Sequence, residues 1–220
     1  SIDVGIDNFI ATSNNCWLYP FVIKFNVIKS YNEWFNKRAA YYQSLLPERI
    51  HTSNRIKRLW KNRKHWMEDF YNKAASYIVK YCISNRIGNL VIGKNTCWKQ
   101  EVCIGKANTQ NFCFISHAYF IDKLTQMAER SGINIITTEE SYTSKASFLD
   151  SDEIPVYGED KQHKFSGMRI HRGLYKSKNG ILINADVNGA SNILKKAVKM
   201  AFDKVTDFRY LYQTTLKVNP

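Results

Sequence analysis

The 220-residue chain is 44% apolar, enough for one well-cored domain with a helical addition, and 32 Lys and Arg against 19 Asp and Glu leave a formal charge of +13. No apolar run approaches bilayer length, and the opening "SIDVGIDNFI" carries acids where a signal peptide needs bases, so a soluble, intracellular protein is expected. Five cysteines, odd in number and without a C-x-x-C pair, exclude a disulfide framework or zinc knuckle; Cys97, Cys103 and Cys113 are too widely spaced for zinc, and reduced thiols are expected.

In chain order, Ile2, Val4 and Ile6 alternate with Asp3, Gly5 and Asp7, the period of a strand with one buried face. Asn14-Asn15 is expected to turn it toward a second strand, and "FVIKFNV" (Phe21 to Val27) reads as a third, giving an antiparallel meander. From Tyr31 the spacing of Trp34, Phe35, Arg38, Tyr41, Tyr42 and Leu45 becomes helical, until Pro47 breaks it. A second helix is expected from about Glu48 to Tyr81. "NLVIG" (Asn89 to Gly93) is a short buried strand leading into a polar loop over Lys94 to Asn111. Phe120, Ile121, Leu124, Met127 and Ala128 mark an amphipathic helix stopped at Ser131-Gly132, followed by the strand "INIITTEE" (Ile133 to Glu140). Residues 141–180 read as a long irregular loop, "ILIN" (Ile181 to Asn184) as the last strand, and Ile193, Leu194, Ala197, Val198, Ala201 and Phe202 as the stripe of a closing helix. This order predicts an α/β fold: an RNase H-like mixed sheet covered by helices, with residues 31–84 as a basic helical insertion.

The charge is uneven. Tyr31 to Lys80 holds eleven Lys or Arg against four acids, densest in "NRIKRLWKNRK" (Asn54 to Lys64), and Lys161 to Gly180 adds six with no acid. Such acid-poor stretches suit a polyanion, with nucleic acid the first expectation. Arg55, Lys57, Arg58, Lys61, Arg63 and Lys64, and in the later segments Lys145, Arg169 and Arg172, are the candidate nucleic-acid contacts. Trp17, Trp60, Trp66 and Trp98 read as core residues, and Ser144 as a turn hydroxyl without a triad. His163 and His171 are read as exposed polar residues, and Asp150, Asp152, Glu153, Glu159 and Asp160 as a solvated acidic loop.

Phosphodiester hydrolysis with two divalent cations requires several carboxylates converging from neighbouring strand ends, because their charge offsets that of the ions. The candidates are Asp3 on the first strand with Asp7 as local competitor, Glu139 or Glu140 at the end of "INIITTEE", and Asp186 in "INADVNGASNI". Asp186 sits where a strand gives way to a helix, beside the helix's positive end, while Asn188, Gly189, Ala190 and Ser191 would permit close approach of nucleic acid.

"SIDVGIDNFIAT", "EESYTSKASFLD" and "GILINADVNGASNIL" resemble the three split catalytic segments of the transposon-encoded TnpB (OrfB) family, and "LVIGKNTCWKQEVCIGKANTQNF" resembles its middle region. The resemblance spans the chain and implies a RuvC-like nuclease related to type V CRISPR effectors, one that cuts DNA under RNA guidance with Mg²⁺ or Mn²⁺. It implies Asp3, Glu140 and Asp186 as metal ligands, a guide RNA and a DNA target as partners, and a cytoplasmic, nucleoid-associated location. Two departures stand out. The family's usual Glu after the "NLVIG"-like strand is replaced by Gly93 and Lys94, which points to Glu140 as a substitute of the kind seen in the Fanzor relatives, with Glu139 facing away. The paired zinc cysteines of many relatives are also missing, so no zinc is expected and the 141–180 loop is expected to be held by packing instead. The family's N-terminal guide-RNA-binding region has no counterpart here, and residues 1–220 are expected to be the nuclease domain alone.

Overall fold

The computed structural model describes every residue except 6–7, 95–115, 157, 159–162 and 220. The polar-loop expectation, Asp7, Trp98 and three of the cysteines (Cys97, Cys103 and Cys113) fall outside the described residues.

Strands β1 (Ile2–Val4), β2 (Asn8–Thr12) and β3 (Phe21–Lys24) form the expected antiparallel meander, with Asp3 opposite Ala11 and Ala11 opposite Val22. The first reversal comes earlier than expected, between Val4 and Asn8, and Asn14 instead turns β2 into β3. Its Oδ1 accepts from the Cys16 and Leu18 amides at 3.0 and 3.1 Å, the local bonding that suits Asn to turns.

Helix α1 (Asn26–Ser44) starts five residues before Tyr31, because Ile28 is driven into the core and overrides the β-branched pattern of the preceding run. Helix α2 (Asn54–Ser84) starts later than Glu48, where the Ser53 hydroxyl caps it by accepting from the Ile56 amide at 3.3 Å. Strand β4 (Asn89–Lys94), helix α3 (His117–Arg130) and strand β5 (Asn134–Glu139) follow closely the expected pattern, and Gly132 takes the left-handed φ of +74° past the helix end.

The main sheet runs β5-β4-β1-β2-β3-β9, where β9 is Leu216–Val218, an edge strand the sequence pattern did not reveal. β4 is parallel to both β1 and β5, so helices must cross over the sheet between them. Alternation along β4 serves both faces: Leu90 and Ile92 join the large core under α2 and α3, while Val91 packs on the other side with Ile193 and Leu194. Ile2 and Val4 also join the large core, which turns Asp3 to the opposite face.

"ILIN" does not enter that sheet. Strands β6 (Met168–His171), β7 (Leu174–Lys176) and β8 (Leu182–Asn184) form a separate antiparallel sheet, and most of the expected irregular loop lies before it. Of the acids expected to be solvated, Asp150 and Asp152 instead tie the loop, Glu153 is exposed as expected, and Glu159 and Asp160 lie outside the described residues. Asp152 accepts from the Ser147 and Ser166 amides at 2.8 and 3.0 Å, and Asp150 from the Ser147 hydroxyl at 2.6 Å and the Lys178 amide at 2.7 Å. Helix α4 (Ala185–Ala197) then lies across β1, β2, β4 and β5 and ends before the expected Ala201 and Phe202. Those two residues pack beyond it, Phe202 against Phe148 and Phe208 near the short helix α5 (Arg209–Tyr212). Among the described residues, no helix is long and apolar enough to cross a membrane.

Candidate active site

Three carboxylates approach one another between the main sheet and α4. Asp3 projects from β1 toward the helix, where Gly189 leaves it room: a Cβ at Gly189 would lie 2.6 Å from Asp3 Oδ2. Ser191 continues the close approach, its hydroxyl 2.7 Å from that of Ser13. The run of small residues in "NGAS" therefore seats α4 closely against β1 and β2, directly over Asp3.

Asp186 stands in the first turn of α4. Asn184 caps that turn, its Oδ1 accepting from the Asp186 and Val187 amides at 3.0 and 3.2 Å, so a carboxylate here also gains from the helix's positive end. Two donors orient it: Asn8 Nδ2 to Oδ2 at 2.6 Å, and Arg169 Nη2 to Oδ1 at 3.1 Å. Arg169 comes from β6, so the small sheet supplies a cation to this site.

Glu140 enters from the end of β5 by way of Gly93. Ile2 pairs with Ile92, which makes Asp3 and Gly93 the next residues along adjacent parallel strands. Gly93 has no side chain, and a Cβ built there would be 2.9 Å from Glu140 Oε2. The carboxylate of Glu140 thus reaches over the gap that Gly93 leaves. Glu139 does not face the opposite side of the sheet, as strand alternation had suggested. It pairs with Lys196 of α4 and accepts from the Ser141 amide at 2.5 Å, and these bonds hold its carboxyl below the usual range despite the opposing cost of burial.

The approach of the other two acids is felt at Asp3. The Asp3 carboxyl is pushed up to about 8, first by burial, then by repulsion from Glu140 and Asp186, with Arg169 pulling the other way. Among the described residues, no three Asp, Glu, His or Cys side chains are gathered closely enough to form a complete metal-ligand set as they stand. Asp186 is turned instead to Asn8 and Arg169.

The expected nucleic-acid contacts divide. Arg55, Lys57, Arg58, Lys61 and Lys64 are exposed along the first half of α2, and Lys145, Arg169 and Arg172 are exposed near the site. Arg63 is buried: Nε donates to Asn32 Oδ1 at 3.0 Å, and the guanidinium lies 5.2 Å from the Phe35 ring. It follows Ile56 and Leu59 on the inward face, a helical phase legible in the sequence. Asn188 is also fully buried. It donates to Ala146 O at 2.8 Å and accepts from the Phe148 amide at 3.0 Å. One turn on, Asn192 donates to Thr143 O and Ala146 O at 2.8 and 2.7 Å, so this pair clamps "SYTSKAS" to α4 instead of meeting nucleic acid. Trp17 and Trp60, read as core, are about half exposed. Asn8 and the clamp residue Asn192 escaped the sequence reading, since an Asn in an apolar strand or helix carries no mark of its partner.

Comparison with known proteins adds a family context. The family OrfB_IS605, described as "Probable transposase", matches residues 1–99, and the Cas12f1-like TNB domain matches residues 117–193. A relative from Acanthamoeba polyphaga mimivirus, a putative transposase by its name, is 26% identical over 144 residues, covering 66% of this chain and 27% of that protein. Two solved structures share the fold at 20% identity: a Cas12f1–sgRNA–target DNA complex (TM-score 0.63, 90% of this chain and 49% of that one) and a CRISPR–Cas12f ternary complex (TM-score 0.62, 87% and 37%). The chain spans about a quarter of the curated relative and less than half of either solved chain.

Proposed function

We propose that this chain, which belongs to the TnpB type of OrfB transposon proteins and has their RuvC-like fold, hydrolyses DNA phosphodiester bonds as the nuclease domain of an RNA-guided endonuclease. The observation that carries the reading is the convergence of acids from β1, the end of β5 and the head of α4, with Asp3 beside Gly189 and Glu140 over Gly93 on the adjacent strand, an arrangement suited to divalent cations. Asp3, Glu140 and Asp186 would hold two Mg²⁺ or Mn²⁺ ions, which when bound supply an activated water and offset charge on the leaving 3′ oxygen. Asn8 fixes the orientation of Asp186, and Gly189 and Gly93 keep the space around Asp3 and Glu140 clear. Arg169, half exposed beside Asp186, is placed to meet a phosphate entering the site. The exposed bases of α2, with Lys145 and Arg172, would grip the guide RNA and target DNA through their phosphates.

A second reading, a nucleic-acid-binding regulator of transposition without cleavage, draws on the Arg169–Asp186 ion pair, which engages one of the three acids. A cleavage assay in Mg²⁺ and in Mn²⁺ decides between them. The nuclease reading expects cutting by the wild type and none by Asp3→Ala, Glu140→Ala or Asp186→Ala, with folding retained. Binding without cutting in either metal supports the regulator, and cutting that survives Asp186→Ala removes that residue from the mechanism.

A further inference from the structure

The surface of α1 carries a feature that a phosphate grip does not require. The helix turns Ile28, Asn32 and Phe35 inward, yet Tyr31, Trp34, Arg38, Tyr41 and Leu45 recur at i, i+3, i+7, i+10 and i+14. Those intervals place them in one stripe roughly 21 Å long. Trp34, Tyr41 and Leu45 are 51%, 54% and 59% exposed. The rings are nonetheless held in place by their neighbours. Tyr31 stacks on Trp66 of α2 at 4.0 Å and 8°, and touches Trp34 at 5.6 Å. Arg38 lies 5.0 Å from the Tyr42 ring and 5.9 Å from Tyr41, its Nε donating to Tyr42 Oη at 3.1 Å, while Arg55 of α2 approaches the same Tyr42 ring at 5.2 Å.

Large rings left in water are costly unless something covers them. Residues 26–66 hold ten Lys or Arg and two acids, so two such surfaces would repel and a second copy of the chain is disfavoured. That charge suits a polyanion. A duplex offers phosphates but hides its base faces, and would leave the rings bare. An unpaired strand offers both chemistries, bases for the rings and phosphates for the flanking cations; along α1 Tyr31 and Trp34 lie about 5 Å apart and Tyr41 about 10 Å further on, with the Arg38 guanidinium between them.

We infer that the α1 stripe of Tyr31, Trp34, Arg38 and Tyr41 binds an unpaired nucleic-acid strand by stacking its bases. This rests on nucleic acid being the partner, as proposed above, and not on cleavage. It adds a recognition of strandedness that the lysines and arginines alone cannot supply.

The test uses the full chain in EDTA, with tryptophan fluorescence and binding read for three probes of equal length, roughly 15 residues: oligothymidylate, an abasic strand of the same charge, and a duplex. At about 0.4 M salt, where phosphate contacts are largely screened, oligothymidylate still binds and quenches the emission, and the abasic strand does neither. Trp34→Ala and Tyr41→Ala each weaken oligothymidylate binding roughly tenfold, while Trp34→Phe retains it. Both substituted residues are exposed, and circular dichroism checks that the fold is kept. Equal affinity for abasic and base-bearing strands overturns the inference, as does tighter duplex binding unaffected by either alanine, or a dimer that Trp34→Ala dissolves. Cleavage assayed separately with Mg²⁺ reports on the nuclease reading, so either idea can fail without the other.

Discussion

The two faces of the main sheet are built from opposite chemistry. Under α2 and α3 the face is dry and aromatic, with Phe9 meeting Phe70 at 5.3 Å and Phe120 at 4.8 Å amid a continuous cluster of buried residues. Under α4 it is polar and sparse: Asp3, Gly93, Glu140, Gly189 and Ser191, with a smaller apolar patch around Val91 and Ile193. A three-residue strand divides the tasks, since Ile2 and Val4 face one way and Asp3 the other. Like charges held together oppose folding, so the α4 face can keep them only because the other face supplies the stability.

Substitutions that act on one face should therefore differ in kind from those on the other, and the largest effect belongs to the dry side. Phe120→Ala should cost about 3–5 kcal/mol in denaturant unfolding, through lost contacts and the cavity it leaves. A small cost would mean the aromatic cluster is not what holds the sheet.

On the polar face the sign should reverse. Below its ordinary value near 3.8, Asp3 is protonated in both folded and unfolded chains and contributes nothing. As pH rises toward about 8 the unfolded chain ionises while the folded one keeps its proton, so stability without divalent cations falls across that window. Asp3→Asn should then stabilise the metal-free domain near pH 8, by several kcal/mol, and the gain should vanish as the pH is lowered well below 3.8. A pH-independent difference in melting would contradict the crowding of acids around Asp3.

Asn188→Ala tests whether α4 clamps the "SYTSKAS" segment or contacts nucleic acid. It should cost about 2 kcal/mol, chiefly by leaving the buried Phe148 amide without its acceptor while Ala146 O keeps the Asn192 bond, without altering the salt dependence of DNA binding. The finest test concerns the position from which the middle carboxylate is supplied. In a Glu140→Ala background, Gly93→Glu should restore cleavage to within about tenfold of wild type, a barrier difference of about 1.4 kcal/mol, once the Ile193 side chain yields. No recovery would mean that the direction of approach matters as much as the charge.

Period-two alternation was enough to put Asp3 on a strand face and the strand-to-helix junction to put Asp186 at the head of a helix, and the departure at Gly93 directed attention to Glu140. Sequence pattern failed where tertiary contacts decide. β6 is exposed at all four residues, so no alternation marks it as a strand, and "ILIN" matches a main-sheet strand although it pairs with β7. Arg63 looked like its basic neighbours by composition, while its phase with Ile56 and Leu59 placed it inside. Glu139 shows the limit of alternation at a strand end: Lys196, fifty-seven residues away, sets its direction.

Calorimetric titration with Mn²⁺ at near-neutral pH tests the central claim most directly. The wild-type chain should take up two cations, and Asp3→Ala, Glu140→Ala and Asp186→Ala should each lose that uptake. Uptake unchanged in all three variants would contradict the assignment of one shared cation site to Asp3, Glu140 and Asp186.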